Sequence, residues 1–163
     1  MIAAHMVVPG SETRRLSIAD CRPELQEIHR IWLDLRGDRS LPARRDFDPA
    51  TARRLLRHLM LIDVLPDAPP DRRFRVRLHG TAQVDYQGVN WTGCFLHEKT
   101  DRAAADRLCE IGEHVVASRQ PWISSGGLYW MPERPFASFE TILLPLSDND
   151  ADVNMILGLT LFF

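Results

Sequence analysis

The chain has 163 residues, a net charge of −2, a hydrophobic share of 45 % and a charged share of 26 %. These values fit one globular domain and exclude a mainly disordered chain, a coiled coil and a collagen-like fibre. No stretch approaches the roughly 20 apolar residues that cross a membrane, and the small net charge argues against bulk nucleic-acid binding. Three scattered cysteines are too few for a disulfide framework, so we expect a reduced, cytoplasmic protein.

The first part of the chain predicts a helical extension. Residues 1–16 are polar and lack a period, and we expect a flexible N-terminus there. Ser17 begins an S-x-x-D pattern typical of a helix start, and Pro23 offers an alternative first helical position. An apolar helical face follows, and Gly37 can end the helix. The residues of that face are Leu25, Ile28, Trp32 and Leu35.

A charged connector, residues 36–48, follows this helix. Its arginines and aspartates could interlock as ion pairs between the helix and the body of the protein, or they could bind an anion or an acidic partner. We favour a structural clasp, because the segment also carries Pro42, Phe47 and helix caps. Asp48 and Pro49 then open a second, short helix. The predicted clasp consists of Arg36, Asp38, Arg39, Arg44, Asp46 and Asp48.

Strand patterns dominate the rest of the chain. Residues 59–65 form an apolar run that Asp63 interrupts, and in residues 73–79 three arginines and a histidine alternate with apolar side chains. The alternation predicts a half-buried strand, and the row of arginines favours an edge position. Three further strands are predicted over residues 122–130, 136–146 and 154–163. Two glycines favour a bulge in the first of these, and the last is apolar on both faces and therefore central in its sheet.

Helices are predicted between the second and third strands. Residues 81–99 predict short, broken helices, and Thr100 or Asp101 caps a longer helix that ends near Ser118. This order predicts an α+β fold with a five-stranded antiparallel sheet, helices on one face and an N-terminal helical extension. The predicted boundaries are a flexible N-terminus over 1–16, the extension and connector over 17–58, and the main domain over 59–163.

Ordered sequence fragments add a family likeness. The pattern W-x-x-L-R-G-x-R-x-L-P-x-R-x-D-F-D-P runs from Trp32 to Pro49, and L-I-D-V, F-R-V-R-L-H-G-T, G-x-x-x-T-G and L-L-P-L-S-D follow it. With the element order, these fragments resemble a family of short bacterial PAS proteins that carry an N-terminal extension. The resemblance implies a sensory module that holds a small ligand between sheet and helices, or pairs with other proteins, and that often dimerises.

Sequence patterns for catalysis or metal binding are missing. We find no G-x-S-x-G elbow, no H-E-x-x-H and no phosphate-cradling loop, and the six histidines do not form ligand pairs. We therefore expect no enzyme and no metal. His114 lies where haem-binding PAS domains carry their ligand, but at the border of the apolar helix face, and the sequence around Cys94 departs from the flavin photosensor motif. We expect neither haem nor flavin, and a small organic ligand stays open.

The phase of the strands and helices predicts which side chains face the interior between sheet and helices. Packing in the core is their default role, and contact with a small apolar ligand is the alternative. The late strands contribute Trp122, Leu143 and Gly158 to this interior. The predicted pocket residues are Phe74, Val76, Leu78, Tyr86, Trp91, Leu108, Ile111, Val115, Trp130, Phe139, Thr141 and Ile156.

The second apolar face of the last strand needs a cover that the crossover helices cannot provide. The N-terminal helix could cover it in the same chain or in a second copy, and we expect a homodimer because two-fold dimers are the commonest oligomers. The predicted dimer face consists of Ile28, Trp32, Leu157, Leu159 and Leu161.

These observations predict a signalling module that acts through dimerisation and contact with an unknown partner protein. Binding would shift the N-terminal helix against the sheet. The alternative is a small cone-shaped α+β isomerase-like enzyme or carrier, with Asp63, Asp85 and Tyr86 as candidate pocket groups. A buried carboxylate needs partners, and pairing with a neighbouring arginine is the plainer role for Asp63. Two strands before the helical crossover favour the PAS order, and a ligand-free scaffold is a third hypothesis.

Overall fold

The computed structural model describes residues 13–163, in which three α-helices, six strands and several short 3-10 helices form an α+β fold. The strands make one antiparallel sheet in the order β1-β4-β5-β6-β2-β3. The helices are α1 (Pro23–Arg36), α2 (Thr81–Gln87) and α3 (Arg102–Ser118). The strands are β1 (Arg14–Arg15), β2 (Leu59–Val64), β3 (Phe74–His79), β4 (Trp122–Gly127), β5 (Ser138–Leu146) and β6 (Met155–Phe162).

The sheet has one strand more than the sequence predicts. The additional strand is β1, which pairs with β4 through Arg14–Ser125 and Arg15–Ser124, and the Leu16 N–H extends the contact. Residues 13–16 are therefore held against the sheet, where a flexible N-terminus was expected. The remainder of that expectation, residues 1–12, lies outside the described residues.

Strand positions follow the apolar patterns in most respects. β6 lies between β5 and β2, as a strand that is apolar on both faces should, and the arginine-bearing β3 is an edge strand. The predicted bulge at Gly126 and Gly127 is wrong, because β4 pairs with β5 without a shift from Trp122–Leu143 to Gly127–Ser138.

A register shift between β2 and β3 exchanges the faces of two residues. Ile62 pairs with Val76 and Leu61 pairs with Leu78, so Arg77 is an extra residue that no partner opposes. Beyond such a bulge the alternation of side chains is inverted. Leu78 is 44 % exposed and His79 only 6 % exposed, which is the reverse of the sequence prediction.

Residues that typically begin or end helices occur at most of the helix termini. α1 begins at Pro23, the second of the two predicted starts, while Ser17 Oγ bonds Asp20 Oδ2 at 2.7 Å in a preceding 3-10 turn. Two predicted caps accept backbone N–H groups at 2.9 Å: Asp48 at the 3-10 helix Pro49–Ala52, and Asp101 at α3. Gly37 ends α1 with a positive φ of 56°.

α1 packs across the outer face of its own sheet, opposite the inner face that α2 and α3 cover. The Trp32 indole Nε1–H donates to the Pro145 carbonyl at 2.9 Å, and the Arg22 N–H donates to Glu140. The helical extension therefore covers the face that the crossover helices leave open. All five residues of the predicted dimer face are buried within the chain: Ile28, Trp32, Leu157, Leu159 and Leu161. The dimer face stays a prediction, and a second copy could contact these side chains only if α1 left the sheet.

Candidate functional site

A cavity of about 100 Å³ lies between the inner face of the sheet and helices α2 and α3. All of β2 to β6 contribute to its wall, which is mostly aromatic and aliphatic. The described residues that line it include no charged side chain. The polar lining side chains are Gln83, Gln87, Ser124, Thr141 and Thr160.

Eight of the twelve predicted pocket residues line this cavity: Phe74, Trp91, Leu108, Ile111, Trp130, Phe139, Thr141 and Ile156. Trp122 and Leu143 line it as well. Of the other four, Val76 and Val115 are wholly buried in the core, and Leu78 lies outside because of the register shift. Tyr86 stacks on Phe162 with ring centroids 4.5 Å apart.

Several lining residues escape the sequence prediction. Two of them, Gln83 and Gln87, lie four residues apart on α2 and so share one helix face. The spacing alone shows that the two amides share a face, and only the packing of α2 shows that this face is buried. The remaining unpredicted lining residues are Met60, Ile62, Leu96, Gly112, Ser124, Tyr129, Thr160 and Phe162.

A buried polar cluster joins β3 to α2 beside the cavity. His79 Nδ1 accepts the Trp91 backbone N–H at 3.1 Å, and His79 Nε2 lies 3.2 Å from Gln87 Nε2. Gln87 Oε1 accepts the Trp130 indole N–H at 3.0 Å, and Gln83 Nε2 donates to a backbone carbonyl at 2.6 Å. Burial lowers the pKa of His79, although a hydrogen bond with Gln83 opposes the shift. The imidazole is therefore neutral near pH 7.

Comparison with known families identifies this arrangement of sheet, helices and cavity. The sequence model of the family described as "PAS domain" matches residues 21–161. The chain belongs to the PAS-domain family. No curated protein matches the chain. In this PAS domain β2 and β3 come directly before α2 and α3, which agrees with the order expected from the resemblance.

At the cavity of this PAS domain, α3 approaches β3 closely, with Gly112 next to the ring of Phe74. A Cβ at Gly112 would lie 2.7 Å from Cζ of Phe74, which is closer than real Cβ contacts. Glycine at this position therefore allows the helix to rest on the aromatic ring. The neighbouring Cys109 is half-buried, and burial raises the pKa of its thiol to about 11, so it is a poor nucleophile at neutral pH.

Asp63, the sharpest candidate of the enzyme hypothesis, lies on the outer face of the sheet and away from the cavity. Its carboxylate accepts from Arg75 Nη2 at 3.2 Å and from Arg77 Nε at 2.8 Å, and its side chain is 8 % exposed. Asp85 is exposed, and Tyr86 Oη reaches the Phe163 carbonyl at 3.4 Å. The three candidate groups of the enzyme hypothesis therefore do not converge on a pocket.

The connector contains one of the ion pairs expected of a clasp. Arg39 Nη2 lies 2.7 Å from Asp46 Oδ2, and the Ala43 N–H, followed by Arg39, lowers the pKa of Asp46. Arg36 lies over the Trp32 ring, and the others do not pair with one another: Asp38 is exposed, Arg44 donates to the Phe47 carbonyl, and Asp48 caps a helix.

Backbone hydrogen bonds tie the connector to the body of the domain. The Leu41 N–H donates to Asp150 Oδ1 at 3.0 Å, and the Ser147 N–H donates to the Pro42 carbonyl at 2.9 Å. Leu41, Pro42 and Phe47 are buried. The connector is therefore held more by buried apolar residues and backbone contacts than by its charges.

Within residues 13–163, no helix is long and apolar enough to cross a membrane. Among the same residues, no group of three or more His, Cys, Asp or Glu side chains could hold a metal ion.

Proposed function

We propose that this PAS domain is a non-catalytic sensory module that binds a small, largely apolar molecule between its sheet and α3. The observation that supports this most directly is the cavity, which has an apolar wall in the interior of the fold. Its volume of about 100 Å³ is near that of a cavity of roughly 150 Å³ that binds benzene. It is smaller than the roughly 300–1,000 Å³ of pockets for drug-sized ligands. We therefore expect a ring-sized ligand rather than haem or flavin.

The central strand offers a route from the cavity to the opposite surface. Ile156 and Thr160 of β6 line the cavity, whereas Leu157 and Leu159 lie on the other face, which α1 covers. A ligand that displaces β6 changes the surface on which α1 packs. The ligand shifts the equilibrium between two positions of α1 only to the extent that its affinity differs between them. The binding of a partner protein or of a second copy would then depend on the position of α1.

Ligand binding is tested by filling the cavity. Leu108→Trp enlarges a half-buried side chain of the cavity wall, and Leu33→Trp makes the same change on the exposed side of α1. Native mass spectrometry of each purified protein would be compared with its denatured mass, and thermal unfolding would be followed with added ring-sized molecules.

We expect extra mass, or a raised Tm with such molecules, in the natural protein and in Leu33→Trp but not in Leu108→Trp. A protein that carries no extra mass and gains no stability from any added molecule would favour the ligand-free scaffold. The same native spectra report the oligomeric state, and a monomer with or without ligand would refute signalling through a dimer.

A further inference from the structure

An open groove of about 400 Å³ lies beside the end of edge strand β3 and shares none of its described lining residues with the apolar cavity. Leu78 lines the groove and is 44 % exposed. Single exposed leucines are common on protein surfaces, but here a second leucine, Leu56, and two arginines, Arg53 and Arg57, line the same groove. The groove therefore combines apolar surface with positive charge.

Backbone contacts fix the shape of this groove. A Cβ at Gly80 would clash with the carbonyl oxygens of Arg57 and Leu59, so glycine lets the end of β3 lie directly against the segment that precedes β2. The Gly80 N–H donates to the Leu59 carbonyl at 2.8 Å, and Gln83 Nε2 of α2 donates to the His58 carbonyl at 2.6 Å. The groove is therefore preformed, and a preformed surface loses less conformational entropy when it binds a partner.

The arginines of the groove have no carboxylate to pair with among residues 13–163. Arg54, which lies between them in the sequence, does have one, because its Nη2 is 2.7 Å from Glu27 Oε2. Arg53 and Arg57 are exposed, and the described lining residues include no acidic side chain. The complementary surface is therefore acidic and carries an apolar side chain.

The edge of β3 next to the groove is open. Residues 93–95 cover the first part of this edge, where the Val76 N–H donates to the Cys94 carbonyl at 2.9 Å and the Val76 carbonyl accepts the Gly93 N–H at 2.7 Å. Within the described chain, no strand lies beyond β3 on this side of the sheet. An open edge pairs with extended peptide backbone, which a nucleic acid or a small anion lacks. The open edge therefore favours a protein segment as the acidic partner.

We propose that the groove beside β3 binds an acidic segment of a partner protein. A large apolar side chain of that segment packs against Leu56 and Leu78. Carboxylates before and after it pair with Arg53 and Arg57. The proposal goes beyond ligand binding in the cavity and does not depend on it, because the two sites have separate walls.

Selection from a random peptide library tests the proposal. Short peptides displayed on phage are selected on the full-length protein, and the enriched peptides are synthesised and titrated by fluorescence anisotropy. Leu78→Ser removes the exposed apolar side chain, and Arg53→Glu combined with Arg57→Glu reverses the charge of the groove. The matched controls are Leu33→Ser on α1 and Arg102→Glu on α3, which also change exposed side chains. Circular dichroism and thermal unfolding report whether each variant is folded.

We expect the enriched peptides to share a large apolar residue with Asp or Glu on both sides. Leu78→Ser should weaken their binding about tenfold, which is the effect of losing one leucine from an apolar contact. The double charge reversal should weaken binding at least as much and should reduce its dependence on salt. Both control variants should bind like the natural protein. If Leu78→Ser does not fold, the double charge reversal decides the question.

Other outcomes would refute the proposal. These are a library that yields no binder, enriched peptides without acidic residues, and binding that persists in both folded groove variants. Tighter binding of single-stranded oligothymidine than of any enriched peptide would assign the groove to nucleic acid. A dimer in native mass spectra that both groove variants dissociate would assign it to a second copy. None of these results bears on the cavity, so the proposed ligand binding would stand or fall by its own test.

Discussion

Replacement of Trp32 tests whether α1 stabilises the domain by covering its own sheet. Trp32 is 3 % exposed, and its indole donates to the Pro145 carbonyl at 2.9 Å. Trp32→Ala removes a large buried side chain and leaves that carbonyl without its donor, which costs about 3–5 kcal/mol of unfolding free energy. For a domain of this size 1 kcal/mol corresponds to about 2–4 °C. We therefore expect Tm to fall by about 6–20 °C.

The assay is thermal and urea unfolding followed by far-ultraviolet circular dichroism, because removal of a tryptophan alters fluorescence directly. Leu33→Ala is the matched control, since Leu33 lies on α1 but is 37 % exposed, and its effect should stay within about 1 kcal/mol. Trp32→Phe keeps most of the apolar surface and should lie between the two. A Tm of Trp32→Ala equal to that of Leu33→Ala would refute the docking of α1 on the sheet.

Three further predictions concern other parts of the fold. Asp63→Asn weakens the contacts with two arginines of β3 and should lower the unfolding free energy by about 1–2 kcal/mol in urea. An effect no larger than that of Asp71→Asn, which changes an exposed residue of a 3-10 helix, would contradict the pairing. Burial lowers the pKa of His79, so its contribution to stability is complete above the ordinary value of about 6.5 and is lost as the pH falls toward the folded value. His79→Gln should therefore lose less stability between pH 7.5 and pH 5.5 than the natural protein, and equal losses would refute the buried imidazole. Gly112→Ala places a Cβ 2.7 Å from the Phe74 ring and should destabilise by about 1–3 kcal/mol, an effect that Phe74→Leu partly relieves in a double-mutant cycle and that simple additivity would contradict.

Features that depend on neighbouring residues could be predicted from the sequence. The cap at Asp101, the helix end at Gly37 and the central position of β6 all follow from residue type and apolar pattern. Strand alternation identifies the inward face wherever the pairing is regular, and it correctly places Phe74, Phe139, Thr141 and Ile156 at the cavity. The helical period does the same for Leu108 and Ile111 of α3.

Features that depend on distant pairing could not be predicted. The extra residue Arg77 has no signature of its own, yet it moves His79 inward and Leu78 outward. Likewise, β1 consists of two exposed arginines whose strand conformation comes only from pairing with β4. α1 could cover the sheet of its own chain or that of a second copy. The outcome depends on the path that the connector takes in three dimensions, and the apolar pattern of a helix does not determine that path.

The position of α1 makes it a tethered competitor for any protein that would use the outer face of the sheet. Because the helix is joined to that face through a short connector that is itself fastened at Leu41 and Pro42, its local concentration there stays high. A partner that needs this face binds only the fraction of molecules in which α1 is displaced. Each 1.4 kcal/mol of docking free energy thus weakens its apparent affinity tenfold. Small changes in the packing beneath α1 would then become large changes in partner occupancy.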